Sequence, residues 1–445
     1  MVNLTDTIVA IATPPGTGGV AIVRISGGAS EQIARQLLGS LPEPRQATFK
    51  SFRNLAREKL DTGLALYFPA PASFTGESVL ELHAHGGLLV TGLLQDAIVA
   101  MGARRAEPGE FSQRAFLNDK LDLVQAEAIA DLINAGTSQA ARAALRSLSG
   151  TFSNSVTALA EQLIRLRMHV EAAIDFPEEE IDFLADDLLR QRLTECDGAF
   201  KFLQARAQQG RVLRDGFQVV IIGKPNTGKS SLLNLLSGED AAIVTEIAGT
   251  TRDVLREQID IDGLAVELVD TAGLRENPDR VEEEGIRRAK LAVKNADAVL
   301  WIQDATDPDV GAMSEPLPDS IPVTVVHNKI DLCDARGADH ATDNIIRVSA
   351  KTGEGLRPLR QHIRGLAGYE NLGEGAFTAR KRHLNALQRA EKHFLTGQAA
   401  LEGARAGELL AEELRLSQKA LGEITGVVSS DDLLGRIFSE FCIGK

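Results

Sequence analysis

Residues 216–238 read GFQVVIIGKPNTGKSSLLNLLSG. FQVVIIG is a short continuous apolar run bounded by turn residues, as a buried strand requires, and SSLLNLLSG has the apolar spacing of a helix. Between them GKPNTGKS, residues 223–230, fits G-x-x-x-x-G-K-S. Its glycines let backbone N–H groups, here those of Asn226, Thr227, Gly228 and Ser231 among others, turn inward around phosphate oxygens, and the helix N-terminus adds a favourable field. Lys229 is placed to neutralise β- and γ-phosphates, and the Ser230 hydroxyl to coordinate Mg2+. The competing reading, a surface glycine turn, does not explain the strand-turn-helix context.

Three more segments follow in the order a GTPase needs. DTAG (Asp270, Thr271, Ala272, Gly273) closes the apolar run LAVELVD, which sets Asp270 near Mg2+ and the Gly273 amide near the γ-phosphate. NKID (Asn328, Lys329, Ile330, Asp331) closes IPVTVVHNKID, where a carboxylate accepts both the N1 hydrogen and the 2-amino group of guanine. Adenine lacks that pair of donors, so discrimination follows from polar groups left unpaired. SAK (Ser349, Ala350, Lys351) completes the base pocket. Thr250 and Thr251, in AGTTRD, lie where a switch loop presents a hydroxyl to Mg2+ and the γ-phosphate, and Thr251 is the preferred second Mg2+ ligand. The residue after DTAG is Leu274 rather than the glutamine that orients water in Ras-like enzymes. Hydrolysis then needs another polar group, and Glu282, Glu283 and Glu284 lie downstream. A glutamate run opening a helix is equally a solvated face that complements the dipole, and no arginine finger is identifiable.

Outward from this α/β stretch the pattern changes on both sides. Residues 1–120 carry short β-prone runs between turn clusters such as TPPGTGG and FPAPASFTGE, the mark of a small α+β domain. Residues 121–215 read as three antiparallel helices. Residues 369–445 return to helical spacing, with Leu384, Leu387, Phe394 and Leu401 on one face and Leu410, Leu414, Leu421 and Ile424 on another. The expected fold is multidomain α/β and α, in which a Ras-like P-loop GTPase domain, residues 216–368, is inserted into a helical domain.

The 445 residues hold 62 Asp+Glu against 48 Lys+Arg, a formal charge of −14, which argues against a general nucleic-acid coat and against adhesion to anionic membranes. Three cysteines without CxxC spacing suggest neither a disulfide framework nor a zinc site. The N-terminus has no signal or transit pattern and no stretch is apolar enough for a membrane helix, so a cytoplasmic protein is expected. His83 and His85, in HAHGG, face one side of a strand; no third metal ligand is evident, and their role stays open.

DTIVAIATPPGTGGVAIVRISG, PGEFSQRAFLNDKLDLVQAEAIADLI, the GTPase motifs and the terminal FCIGK together resemble the MnmE (TrmE) family of tRNA uridine-5-carboxymethylaminomethyl modification GTPases, over essentially the whole chain. The resemblance implies a K+-dependent GTPase that contacts nucleotide through the loop Thr245, Glu246, Ile247, Ala248, Gly249, Thr250 and Thr251. Asn226, Thr245, Ile247 and Thr250 match the K+ ligands, and a cation held there takes the place of an arginine finger's charge. The family's catalytic glutamate matches Glu282. The resemblance further implies an N-terminal homodimerising domain that binds a tetrahydrofolate derivative (5,10-methylene or 5-formyl) through positions matching Arg24, Glu81, Lys120 and Lys445. It also places Cys442 near the modification centre as nucleophile or acid, against the plain reading of an inert thiol. The implied partners are tRNA and an FAD-containing MnmG-type protein in a heterotetramer, acting at C5 of the wobble uridine. Two other readings stand beside it: an Era-like regulatory GTPase in ribosome assembly, and a folate-dependent aminomethyltransferase acting on a small substrate.

Overall fold

The computed structural model describes residues 6–175, 187–224, 226–238, 256–270, 296–307, 321–333, 341–342, 345–368, 375–404, 406–428, 431–439, 441 and 444. Contacts divide the chain into two compact units, one of Met1–Ala130, Ser153–Leu193 and Arg389–Lys445, the other of Asp131–Phe152 and Thr194–Gln388.

The first unit holds β1 (Ile8–Ile11), β2 (Gly18–Ser26), α1 (Ser30–Leu38), β3 (Thr48–Arg53), β4 (Lys59–Phe68), β5 (Val79–Gly86), α2 (Leu88–Ala100), β6 (Arg104–Arg105) and α3 (Glu110–Leu117). Its sheet runs β3-β4-β5-β2-β1-β6, antiparallel except for the β1–β6 pair. Strand alternation sends Val23, Ile25, Leu80 and Leu82 inward, where Ile33 and Leu37 of α1 and Leu94 and Ile98 of α2 complete a core. The intervening residues Ile22, Arg24, Glu81 and His83 are half-buried.

Helices follow: α4 (Leu123–Ile133), α5 (Ser138–Leu148), α6 (Thr151–Asp175) and α7 (Asp187–Asp215). The first of the three expected helices is thus two. The interruption falls at NAGT, where Thr137 is extended and its Oγ1 accepts from Ala140 N at 3.1 Å, capping a new helix.

In the second unit β7 (Phe217–Ile222), α8 (Lys229–Gly238), β8 (Arg256–Ile261), β9 (Leu264–Asp270), β10 (Ala298–Asp304), β11 (Val323–Asn328), β12 (Ala341–Thr342), β13 (Ile345–Arg347) and α9 (Leu356–Leu366) form an α/β layer. The sheet order is β12-β13-β11-β10-β7-β9-β8, parallel through its middle with antiparallel β8 and β12 at the edges. Leu232 and Leu236 of α8 and Leu359 and Ile363 of α9 belong to the core that includes Val219, Ile221, Leu300 and Val326. Within the same unit Asp131 Oδ1 accepts from Arg214 Nε at 2.9 Å and from Arg380 Nη2 at 2.8 Å, residues on either side of this layer in sequence.

The remaining helices are α10 (Lys381–Ala404), α11 (Gly407–Thr425) and α12 (Asp431–Ser439). Leu387, Phe394 and Leu401 of α10 and all four apolar positions named for α11 are buried, as their spacing requires, with Leu384 half-buried. In the first unit, Leu434, Ile437 and Phe438 of α12, with Phe441, pack on Leu123 and Ala126 of α4. Among the described residues no helix is long and apolar enough to cross a membrane.

Candidate functional site

Parallel strands point their carboxyl ends the same way, so the loops after β7, β10 and β11 open on one edge of the sheet, where an open α/β fold binds its ligand. Register confirms the common edge: Ile221 lies opposite Asp270, and Asp304 opposite Asn328.

The loop after β7 turns through Gly223 (φ 154°), Asn226 (φ 64°) and Gly228 (φ 88°). Two of these positions admit no side chain, since a Cβ on Gly223 would stand 2.3 Å from Ile302 O and one on Gly228 2.2 Å from Asn328 Nδ2. Asn226 holds the left-handed conformation that asparagine tolerates best among side-chain-bearing residues. Lys229 is buried, and its Nζ donates to the carbonyl oxygens of Gly223 (2.9 Å) and Lys224 (2.7 Å). This curls the ammonium over the loop, where phosphate oxygens are the stronger acceptors. Thr227 Oγ1 donates to Lys224 O at 3.0 Å, and Ser230 and Ser231 are exposed at the start of α8.

Asn328 ties the loops together. Its Nδ2 donates to Thr227 O at 2.8 Å and its Oδ1 accepts from Ala350 N at 2.9 Å, so one buried amide joins the phosphate loop to SAK. Ser349 Oγ donates to Asp331 Oδ1 at 2.6 Å and accepts from Thr352 N, fixing the carboxylate assigned to guanine. Lys329 adopts φ 67°, and its Nζ donates to Asp304 Oδ2 at 2.6 Å. That bond, with a second from Thr306, holds the Asp304 carboxyl down at about 2. Asp304 escaped sequence reasoning, although an acid closing an apolar run, WIQD, is the signal that marked Asp270. Ile330 and Lys351 lie in the same two loops. Thr245, Glu246, Ile247, Ala248, Gly249, Thr250, Thr251, Thr271, Ala272, Gly273 and Glu282 lie outside the described residues, as do Cys442 and Lys445.

A second polar site stands on the six-stranded sheet. Arg24 of β2 faces Glu81 of β5 across the ladder, with Nε 2.8 Å from Oε1. The guanidinium also lies 5.7 Å from the Phe74 ring centroid and 5.8 Å from that of Phe111. Phe74 begins FTGE, a segment anchored from below. Ser26 Oγ bonds Thr75 Oγ1 (2.7 Å) and Glu77 Oε2 (2.6 Å), and Asn118 Nδ2 donates to Thr75 O (2.7 Å). Fully buried Arg114 donates to Glu77 (3.0 Å), Glu110 (2.9 Å) and Asp6 (2.5 Å). Arg104 also binds Asp6 and Glu110. Burial alone raises the Asp6 and Glu110 carboxyls, but their arginine partners, led by Arg104, bring both below the ordinary carboxylate value.

Lys120 is exposed, its Cγ 3.4 Å from where a Cβ on Gly76 would stand, so the same segment links it to Phe74. In the same unit Gly444 approaches β1 so closely that a Cβ there would lie 2.5 Å from Ile11 O. The structure thus brings Arg24 and Glu81 together directly and sets Lys120 beside the shared segment. His83 Nε2 is 3.6 Å from Glu81, and His85 Nδ1 is 2.7 Å from Asp61. Among the described residues no cluster of three potential ligands fits a metal ion. Phe74, Phe111 and Arg114 were not singled out from sequence.

The profile described as "GTP-binding protein TrmE N-terminus" matches residues 7–120, and that described as "MnmE helical domain" matches residues 123–442. A protein of Erwinia tasmaniensis named tRNA modification GTPase MnmE is 54% identical over 453 residues, covering 100% of both chains. Its namesake in Hydrogenovibrio crunogenus is 55% identical over 445 residues, covering 99% of each. A solved structure of Aquifex aeolicus Era bound to GDP and aluminium fluoride shares 28% identity over 40% of this chain and 66% of its own, at a TM-score of 0.27.

Proposed function

The chain belongs to the MnmE family of tRNA modification GTPases, and from that premise we propose that its two polar sites divide the reaction between them. GTP is the substrate of the second unit's site. Lys229 and the backbone N–H groups of residues 226–231 bind its phosphates, and Asp331, held by Ser349, reads the guanine edge. Ser230 and Thr251 would hold Mg2+ and Asp270 would stand near it; Asn226, Thr245, Ile247 and Thr250 would hold K+. The exposed Ser230 hydroxyl at the helix start and the left-handed Asn226 backbone fit those roles. The cations supply positive charge where phosphoryl transfer accumulates negative charge. Glu282 orients the attacking water. Replacing it by alanine is expected to slow GTP turnover about a hundredfold or more with nucleotide affinity nearly intact, and unchanged turnover in saturating K+ would remove it from this role.

In the first unit, Arg24, Glu81 and Lys120, with Lys445, bind a tetrahydrofolate derivative. The chemistry fits: a carboxylate receives the donor edge of a pterin, Phe74 offers it a ring face, and cations meet the glutamate tail. The bound folate supplies a one-carbon unit, and an FAD protein of the MnmG type, joined in a heterotetramer with a homodimer of this chain, supplies the redox step. The product is an aminomethyl or carboxymethylaminomethyl group at C5 of the wobble uridine, with Cys442 near the reacting atoms. The work is cytoplasmic. Full-length identity above half with proteins named for tRNA modification carries this reading and favours it over ribosome assembly or a small-molecule aminomethyltransferase. Mass analysis of tRNA from cells lacking the protein tests it: wobble uridines should lose the C5 group, and retention of the full modification would overturn it.

A further inference from the structure

The chain carries a formal charge of −14, yet the β3–β4 hairpin gathers Lys50, Arg53, Arg57 and Lys59 against Glu58 within ten residues. Arg53 and Lys59 stand directly opposite one another in the ladder, a like-charge pairing that costs a sheet stability. Arg57, exposed in the turn between the two strands, adds a third cation, and its carbonyl oxygen accepts from Arg53 Nη1 at 3.0 Å. Among the described residues none of Arg53, Arg57 and Lys59 is ion-paired with a carboxylate. The local acid is turned elsewhere: Glu58 Oε2 accepts from Asn54 Nδ2 at 2.7 Å, while Asn54 Oδ1 accepts from Glu58 N at 2.9 Å. That reciprocal pair, with a ladder irregularity between Phe52 and Arg53, fixes the turn before any ligand arrives. Phe49, four residues before Arg53 on the same edge strand, is 70% exposed and offers a flat apolar face further along the hairpin.

A fold that sets three unneutralised cations together on a built turn, in an acidic chain, has made a site for a polyanion. We infer that the hairpin tip of Arg53, Arg57 and Lys59 grips the sugar-phosphate backbone of tRNA, with Phe49 as a stacking surface for an unpaired base. The inference rests on the tRNA-modification reading above and adds to it the surface that meets the substrate. Edge strands also use cations to block pairing with other sheets, but that need is met by one charge on the strand and leaves the turn cation, Arg57, without a purpose.

The test is tRNA binding by the full-length protein, followed by fluorescence anisotropy across a KCl series, for wild type and for R53E/R57E/K59E. We expect affinity at 0.15 M salt to fall at least tenfold and the slope of log Kd against log salt to shrink by about 0.7–0.9 per contact removed, while GTP hydrolysis without tRNA is unchanged. Because charge reversal can perturb a hairpin, Arg57→Gln is the second variant; its side chain has no bonding partner among the described residues, and it should lower the slope by about one contact. Unaltered affinity and slope in both variants would overturn the inference, whether the triple variant self-associates, as edge protection predicts, or loses an acidic protein partner instead. Wild type failing to bind tRNA at any salt would instead sink the tRNA reading, and the hairpin's role with it.

Discussion

In the seven-stranded sheet the polar residues stand at the carboxyl ends of parallel strands, on loops that backbone geometry and Asn328 hold in place. In the six-stranded sheet Arg24 and Glu81 stand in mid-strand, and the segment beside them rests on Arg114, fully buried among three carboxylates. The first arrangement is made of N–H groups and glycines, so its ligand chemistry is nearly separate from the stability of the domain. The second is made of largely buried charge, where removing Arg114 leaves Glu77 with no cation. Function and folding are therefore coupled in one region and largely uncoupled in the other.

The strongest challenge to that contrast is Arg114→Met. It leaves Glu77 without a cation and Glu110 and Asp6 with Arg104 alone, and should destabilise the first unit by about 3 kcal/mol or more, read as an earlier denaturation transition, while GTP affinity is retained. Equal loss of GTP affinity would erase the distinction. Next comes Asn328→Ala. Freed of its bridging amide, the phosphate loop should lose about 1–3 kcal/mol of GTP binding, measured by titration with a fluorescent guanine nucleotide, with little change in the first unit's unfolding.

Acid provides the gentlest probe. Asp6 and Glu110 are lowered in the folded state, so their contribution is fully present above the unfolded carboxyl values near 4 and is lost as pH falls through the lower folded values. Asp304, at about 2, follows the same sign, but it is a single carboxylate, beside half-buried Lys329. Below about pH 4 the six-stranded region should lose stability more steeply than the nucleotide region, as local hydrogen-exchange protection would report.

The nucleotide site could be read from sequence because its chemistry is local. A strand, a glycine turn and a helix lie within residues 216–238, and each later motif closes an apolar run that the eye finds first. What escaped was the pairing between motifs: Lys329 with Asp304, and Asn328 with both Thr227 and Ala350, the last two across 101 and 22 residues. The N-terminal site is assembled across such distances too. Arg114 meets Asp6 over 108 residues and Arg24 meets Glu81 over 57, and no spacing rule links such partners. Resemblance nominated Arg24, Glu81 and Lys120; the aromatic rings and the buried arginine that position them carry no local signature. The break at NAGT was missed for another reason. Its flanks keep helical spacing, and only the capping bond of Thr137 shows that the phase restarts.

Asp131 draws Arg214 and Arg380 to a single carboxylate oxygen. The chain that departs for the α/β layer and the chain that returns from it are thus fastened at one point, like the two ends of a loop of thread under one stitch. Such a seam is the geometry that permits a module to enter or leave a gene without tearing the fabric around it. A short linker joining the flanks of the layer would leave the rest of the protein with an uninterrupted path and its seam intact.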